Sequence, residues 1–575
     1  MATPKRRLSR YGFPAALAVA FALFGSLPYC YGYLHAGEGM KFMGFVGRGV
    51  FGLNGYLMLA RQSEHGLHLF ENLSTSEALP RVFFNLEWWL FGKMARWTGL
   101  PLIAVFHVWR IATVFLFVFS VHYLSGLCLK SEFQRRFALA LVTFGSGFGW
   151  VLWAGSKVAV ALFPPARAWA ADQVVGLIAF KDQLFPLSID VAGVSAPAYL
   201  VNQPHFMRAT AFAALTWAFV LAGERSGRRV YFALSGIAAL LHIALRPYNI
   251  AETYLVYLLF PVLMSARERR VDFQRFKNCA IAASFLLPIT AYYGYLAYVD
   301  ALGGKGPNWR PGLLLEHILW LGLPFLLMVL CVPWLSRWRT ARPSSMLIGL
   351  WLVVAFLVEQ AYPYWRTGQE AAFAAYVVVP ALLATAGPFR GVYHALRDSA
   401  FARKLSRFDL SSPAFKRAVA VAVVLFCMPS FGIAYARMFA DLRDSPPPYY
   451  IRDGLYDSLV WLRENAGTHD TVLASFETGQ LVPRVAGVKT YLAHYMITKD
   501  CAGKRAHVRR FFSRRGDDEF KQHLVMDNAI RYVVLGPLER HPGGMQPADH
   551  PWLEQRWSQE GVAIYAVGGQ GARRQ

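Results

Sequence analysis

Apolar runs long enough to cross a bilayer recur along most of this 575-residue chain, and they constrain its fold more than any motif does. GFPAALAVAFALFGSLPYCYGYL begins at Gly12, and LLLEHILWLGLPFLLMVLCVPWL begins at Leu313. In hydrocarbon the backbone must satisfy its own polar groups, and a helix of about 20 apolar residues does so while spanning the membrane. Composition agrees: 55% of residues are hydrophobic, 15% aromatic and only 16% charged, unlike a soluble enzyme. The sequence therefore predicts a polytopic α-helical membrane protein.

A net charge of +24 would suit a nucleic-acid binder. The basic residues form no single patch, however; they sit in short loops between apolar runs, where Lys and Arg resist translocation. Taking those loops as cytoplasmic puts spans near 12–34, 101–127, 137–156, 206–222, 230–246, 250–265, 278–298, 313–334, 344–361, 370–387 and 417–437. These are about eleven transmembrane helices, with the N-terminus cytoplasmic and the C-terminus outside. The runs flanking Arg246-Pro247-Tyr248 are short, and a re-entrant hairpin fits them equally. The first run follows Lys5, Arg6, Arg7 and Arg10, and its end, LPYC, lacks the small residues of a cleavage site, so it reads as an anchor. The six cysteines lie singly without metal-ligand spacing, and no nucleic-acid partner is expected.

Two loops on the outer side are long. In residues 35–100, LNGYLMLARQSEHGLHLF and FFNLEWWLFGKMARW read as interfacial helices, aromatic on one side and charged on the other. Residues 157–205 end at NQPHF. After Pro446-Pro447-Pro448 the chain becomes water-soluble, which divides it into a membrane domain, 1–445, and an extracytoplasmic α/β domain, 446–575. There DGLYDSLVWLREN reads as a helix capped by Asp453, with Gly467 just past its end. TVLASF, IRYVVLGP and VAIYAV read as strands, with KRAHVRRFF and DEFKQHLVMDN as helices between them.

The polar residues that this threading brings to the outer surface are the candidates for chemistry. They are Glu38, Glu64, Glu77 and Glu87 in the first outer loop; Asp172, Asp182 and Asp190 in the second; and His205, Arg208, Arg246, Glu252, Asp300, Arg310 and Arg366 at span ends or short loops. Several polar groups at one depth point to a wet cavity, because unpaired charge in lipid is costly. Each also has a plainer reading: a solvated glutamate, or an arginine snorkelling to headgroups. Arg110, one turn after His107 and well inside the second span, must face protein, water or an anion.

The arrangement of a basic N-terminus, one span, a long first outer loop, many further spans and an outer C-terminal domain resembles the GT-C superfamily of membrane glycosyltransferases. That group includes protein O-mannosyltransferases and aminoarabinose transferases. LNGYLMLARQSEHGLHLFEN from Leu53, PHF at Pro204, RPY at Arg246, YPYWRTGQE at Tyr362 and ASFETGQLVPRVAGVKTYLAHY at Ala474 are similar to pieces of such proteins. The resemblance implies a polyprenyl-phosphate sugar donor, an acidic base in the first outer loop and basic groups on the lipid phosphate. Two positions before Tyr56, where the family pattern has Asp, this chain has Asn54, and an amide cannot take a proton as a carboxylate does. Glu77 and Glu87, then Asp190, are the candidate replacements; Arg246, Arg366, His205 and Lys157, with Arg208, Arg310 and Tyr56, are the candidate donor-binding residues. No cofactor is required, and no ligand spacing calls for a divalent metal. The alternatives are a carrier of lipid-linked sugars and a non-catalytic scaffold that presents residues 446–575 to an envelope partner.

Overall fold

The structure, a computed structural model, describes residues 4–47, 50–162, 196–299, 317–318, 321–330, 341–361, 372–386, 412–444, 446–513, 518–540 and 544–568. Two compact units divide the chain: Met1–Leu27, Trp109–Ala291 and Trp309–Met438 form the first, and Pro28–Val108, Tyr292–Asn308 and Phe439–Gln575 the second.

Five described helices are long and apolar enough to cross a membrane: Tyr11–Leu34, Leu102–Cys128, Pro204–Ser226, Pro247–Glu268 and Pro343–Gln360. Two further pairs qualify only when joined, Phe273–Ser284 with Leu287–Tyr298, bent by 47°, and Pro413–Cys427 with Pro429–Ala440, bent by 48°. Pro288 and Pro429 stand at these bends, where a proline lacks the N–H that continues a helix. Val230–Leu245 and Phe373–Ala386 are apolar but shorter. The protein is thus an integral membrane protein, with five spans among the described residues, or seven if each bent pair is one.

The expected span at 137–156 is instead two helices, Glu132–Phe144 and Gly149–Leu162. The GSGF break between them is held from outside: the Ser146 backbone N–H and hydroxyl both donate to the Cys427 carbonyl, at 2.8 and 2.6 Å. A Ser131–Gln134 capping box starts the first of the two. Of the expected span at 313–334, the helix Leu323–Leu330 lies within the described residues.

Within the first unit, Pro204–Ser226 and Val230–Leu245 form a tight antiparallel hairpin. Gly223 allows the approach, because a Cβ there would lie 2.5 Å from the Phe232 ring. The Ser235 hydroxyl bridges the pair by donating to the Thr216 carbonyl at 2.8 Å. Trp217 packs between Tyr257 and Trp351, with ring centroids 5.3 and 5.9 Å away.

The second unit is built on a five-stranded sheet of order β4-β3-β5-β7-β6, with β3 Thr471–Leu473, β4 Lys489–Thr490, β5 Ile530–Leu535, β6 Leu553–Gln559 and β7 Val562–Val567. β3 pairs in parallel with β4 and β5, whereas β7 runs antiparallel to β5 and β6. Alternate residues serve opposite faces. Val472, Val534 and Ile564 join Leu455, Leu459 and Leu462 of the helix Asp453–Asn465, whereas Leu473, Val533 and Tyr565 join Phe511 and Leu524 from Cys501–Phe512 and Asp518–Asp527. Burial on both faces explains why these strands read as continuous apolar runs.

Asp453 is the first residue of its helix and not its cap. Arg452 takes the cap position because the extended chain of β2, Tyr450–Arg452, persists to that residue while it pairs with β1, Met40–Phe42. Asp453 still helps the helix, as a negative charge in its first turn.

In the same unit, residues 35–100 supply the helices Val50–Glu64 and Leu86–Thr98. Asn85 caps the second by accepting from the N–H groups of Glu87 and Trp88. The two helices touch at Gly92, where a Cβ would lie 2.2 Å from the Ala60 carbonyl oxygen. Tyr56 stacks on Trp88 across this contact, with centroids 4.9 Å apart.

Candidate functional site

In the first unit, Arg246 ends the helix Val230–Leu245 and lies buried over an aromatic group. Its guanidinium is 3.9 Å from the Phe206 ring centroid and 6.0 Å from those of Tyr248 and Phe373. Tyr199 packs against both Phe206 and Phe373. His205, adjacent to Phe206, is buried and within electrostatic reach of Arg246, as is His242 one turn before it. A planar cation stacked on rings in an apolar setting is suited to a phosphate, because it is weakly hydrated and retains its charge.

Arg208 points elsewhere. Its Nε donates to the Thr113 hydroxyl at 3.0 Å and its Nη2 to the Trp109 carbonyl at 3.3 Å, which ties Pro204–Ser226 to Leu102–Cys128. Arg110 bonds the Gly25 carbonyl at 3.2 Å and the Ser26 hydroxyl at 2.8 Å, so within the first unit it bridges two helices through neutral groups. Glu252 is also buried, accepting from the Asn249 amide at 2.5 Å and from the Trp351 indole N–H. Among the described residues no three His, Cys, Asp or Glu side chains converge as metal ligands.

In the second unit, Asn54 is buried and its Oδ1 accepts from Arg484 Nη1 at 3.0 Å. Arg484 Nη2 donates to the Met43 carbonyl at 2.5 Å, and its guanidinium lies 4.3 Å from the Phe45 ring centroid. His494 and Gln480 close in on the other side of Asn54. Burial pushes the His494 imidazole down to about 4, so it is neutral at pH 7.

Three carboxylates within residues 35–100 are committed to ion pairs. Glu64 pairs with Arg61 at 2.5 Å, and Glu71 lies 3.5 Å from Arg81 and 3.9 Å from Lys489. Glu77 meets Lys504 at 2.9 Å and accepts from the Thr75 hydroxyl. Burial alone would raise the Glu77 pKa, but Thr75 and Lys504 outweigh it and hold the carboxyl below its usual range. On Lys504, the more buried partner, burial wins and its pKa falls despite Glu77. Glu87 differs in setting: it is buried in the first turn of Leu86–Thr98, where the helix N-terminus favours a negative charge.

Of the candidate residues, His205 and Arg246 share one neighbourhood of the first unit, and Arg208 bonds away from it. In the second unit Tyr56 sits against the residue following Glu87, while Asn54 and Glu77 are held by Arg484 and Lys504. Asp190, Arg310 and Arg366 lie outside the described residues, as does the side chain of Lys157. Sequence reasoning missed Arg484, Glu71 and Lys504, whose partners lie far away along the chain.

No protein-family model matches the chain, and no curated protein does. Among solved structures, the apo crystal structure of the Archaeoglobus fulgidus oligosaccharyltransferase is similar at a TM-score of 0.51 and 13% identity, covering 91% of this chain and 69% of that one. The archaeal oligosaccharyltransferase AglB from Archaeoglobus fulgidus, in complex with an inhibitory peptide and a dolichol-phosphate, also gives 0.51, at 12% identity over 92% and 69%. ArnT from Cupriavidus metallidurans bound to undecaprenyl phosphate gives 0.45 at 12% identity, over 98% and 100%. At such identities the likeness is one of architecture, and on it this chain has the fold of the GT-C membrane glycosyltransferases.

Proposed function

We propose that the protein is a membrane glycosyltransferase that moves a sugar from a polyprenyl-phosphate carrier to an acceptor of the cell envelope, on the extracytoplasmic side of a bacterial inner membrane. The observation that carries this reading is the likeness of fold, over 91% of the chain, to an oligosaccharyltransferase. A related structure of that enzyme holds dolichol-phosphate.

The reaction is a displacement at the anomeric carbon. An acceptor hydroxyl oxygen bonds to C1, the bond from C1 to the phosphate oxygen breaks, and polyprenyl phosphate departs with the electron pair. The acceptor's proton passes to a carboxylate. Charge grows on the leaving phosphate, and preorganised cations stabilise it. In this reading Arg246 and His205 face that phosphate, with Arg208 positioning the helix that carries His205. Lys157, Arg310 and Arg366 remain proposed cations, and Asp190 a proposed second carboxylate.

Asn54 cannot be the base, and Glu64, Glu71 and Glu77 each answer a cation. Glu87 is the base that this reading proposes: a buried carboxylate in the first turn of a helix, where the N-terminus favours a negative charge, next to the Trp88 that stacks on Tyr56. The test is release of radiolabelled sugar from a panel of polyprenyl-phosphate hexoses and pentoses by the purified chain. Glu87→Gln should lower release by about 100-fold or more with an unchanged melting temperature. If Glu77→Gln instead abolishes release while the protein stays folded, the base is Glu77. Silence of the wild-type protein across the whole panel would sink the reading and leave a scaffold or carrier.

A further inference from the structure

A cavity of about 430 Å³ lies wholly within the second unit, and none of the residues proposed above as donor-binding groups or as the catalytic base lines it. Its size falls in the range of roughly 300–1,000 Å³ typical of small-molecule sites. Three cations line it, Lys41, Arg61 and Arg484, against one lining carboxylate, Asp453. Arg61 is answered by Glu64. The other two are not answered in this way: Lys41 sits 3.8 Å over the Tyr456 ring, and Arg484 holds only an amide oxygen and a carbonyl. Among the described residues, neither forms an ion pair with Asp453 or any other carboxylate.

The cations also work against one another. Arg61 Nε donates to the Arg484 backbone carbonyl at 3.1 Å, which holds the Arg61 side chain against that residue. Burial pushes Arg484 down to about 9, and the charge on Arg61 pushes it the same way. It stays charged at neutral pH, so three lining cations stand against one lining carboxylate, and Glu64 answers only Arg61. Such an arrangement costs stability unless an anion completes it.

The rest of the lining is largely apolar and includes Tyr33, Leu57 and Ile103. Tyr33 stands in the last turn of the span Tyr11–Leu34, and Leu102, also in this lining, is the first residue of the span Leu102–Cys128. The cavity therefore opens where two membrane-crossing helices begin or end, the depth at which lipid headgroups lie.

We propose that this cavity is a phosphate-binding site, with Lys41, Arg61 and Arg484 gripping the phosphate and the Tyr33–Leu57–Ile103 wall receiving the apolar part of the molecule that bears it. Two guanidinium forks and an ammonium suit the several oxygens of a phosphate better than a lone carboxylate. The phosphate group is borne by a lipid headgroup or arrives free. The site stands apart from the proposed transfer reaction, since it needs neither a sugar nor a catalytic base.

The test is native mass spectrometry of the full chain in detergent, titrated separately with dihexanoyl phosphatidic acid, dihexanoyl phosphatidylcholine and inorganic phosphate. Phosphatidic acid should bind at least about tenfold more tightly than phosphatidylcholine. Lys41→Gln, a change at an exposed residue that leaves the fold intact, should weaken that binding by about tenfold, and Arg61→Gln by at least as much. Tighter binding of phosphatidic acid than of inorganic phosphate assigns the group to a lipid headgroup; the reverse assigns it to a soluble phosphate. Binding that ignores both charge removals, or that treats phosphatidylcholine as an equal, overturns the site. Arg246→Gln separates this site from the proposed donor site: it should impair sugar release and leave this binding intact. Loss of both would merge the two sites and overturn the inference.

Discussion

The two units handle buried charge differently. In the first, Arg110, Arg208 and Arg246 bond or stack with carbonyls, hydroxyls and aromatic rings. Ion pairs there, such as Arg275 with Glu224, lie at helix ends. In the second, two carboxylates within residues 35–100 reach residues more than 400 positions away, Glu71 to Lys489 and Glu77 to Lys504. A guanidinium stacked on aromatic rings, as Arg246 is on Phe206, sits in a setting suited to an anion. A carboxylate given a lysine is spent on holding two chain segments together. The comparison separates groups available for chemistry from groups that fasten the scaffold.

The sharpest way to break that comparison is to remove the charge of Arg246. Arg246→Gln leaves a polar side chain and removes the charge, and the proposed role predicts a fall of about 100-fold or more in kcat for sugar release. The proposed role also predicts a melting temperature close to that of the wild type. A large loss of stability with near-normal turnover of the folded fraction would mean that Arg246 is only a packing group on Phe206.

On the scaffold side the largest effect expected is at Gly92. A methyl group there would lie 2.2 Å from the Ala60 carbonyl oxygen, 2.5 Å from Ser63 Cβ and 2.6 Å from the Glu64 N. Because two of the three are backbone atoms, the helices must separate, and Gly92→Ala should cost about 3 kcal/mol or more in chemical denaturation. A cost below about 1 kcal/mol would show that Val50–Glu64 and Leu86–Thr98 are not locked together.

A smaller effect should follow pH. His494 titrates near 6.5 when unfolded and at about 4 when folded, so its neutral form is the one that the fold accepts. Its contribution is fully present above pH about 6.5 and is lost as pH falls from there to about 4, an effect of roughly 2–3 kcal/mol. Glu77, held below its usual range, adds a further loss at the acid end. His494→Gln should flatten the first part of the profile and spare the second. If the two profiles run parallel, His494 is not buried as a neutral group.

Much of this was legible along the chain because the relevant signals are local. The helices at 50–64 and 86–98 coincide with the two aromatic and charged runs of the first outer loop, and the strands at 471–473, 530–535 and 562–567 with three short apolar runs. Where apolarity is uninterrupted, length alone misleads: the run at 137–156 breaks at GSGF because Cys427, far away in the chain, supplies the acceptor for Ser146. Arg484 was invisible for the same reason. It sits in LVPRV with nothing local to mark it, and its partner Asn54 is 430 residues away. Glu77 looked like a free acid because Lys504 lies 427 positions further on.

The smallest expected effect bears on the position where the sequence departs from the pattern of the GT-C transferases that it resembles. Asn54→Asp restores a carboxylate, and a reading from sequence alone would expect it to restore a base. The structure puts that carboxylate 3.0 Å from the Arg484 guanidinium, in a buried setting. An opposite charge at this distance lowers a carboxyl pKa by roughly 1–3 units, which weakens it as a proton acceptor in step. The new charge also finds its partner in place, so folding should not suffer. Sugar release by Asn54→Asp should therefore stay within about threefold of wild type. The double variant Asn54→Asp with Arg484→Gln frees the carboxylate from its cation and isolates the effect of that pairing. A rise of tenfold or more in the single variant would mean that Arg484 does not restrain position 54, and that the base belongs there rather than at Glu87.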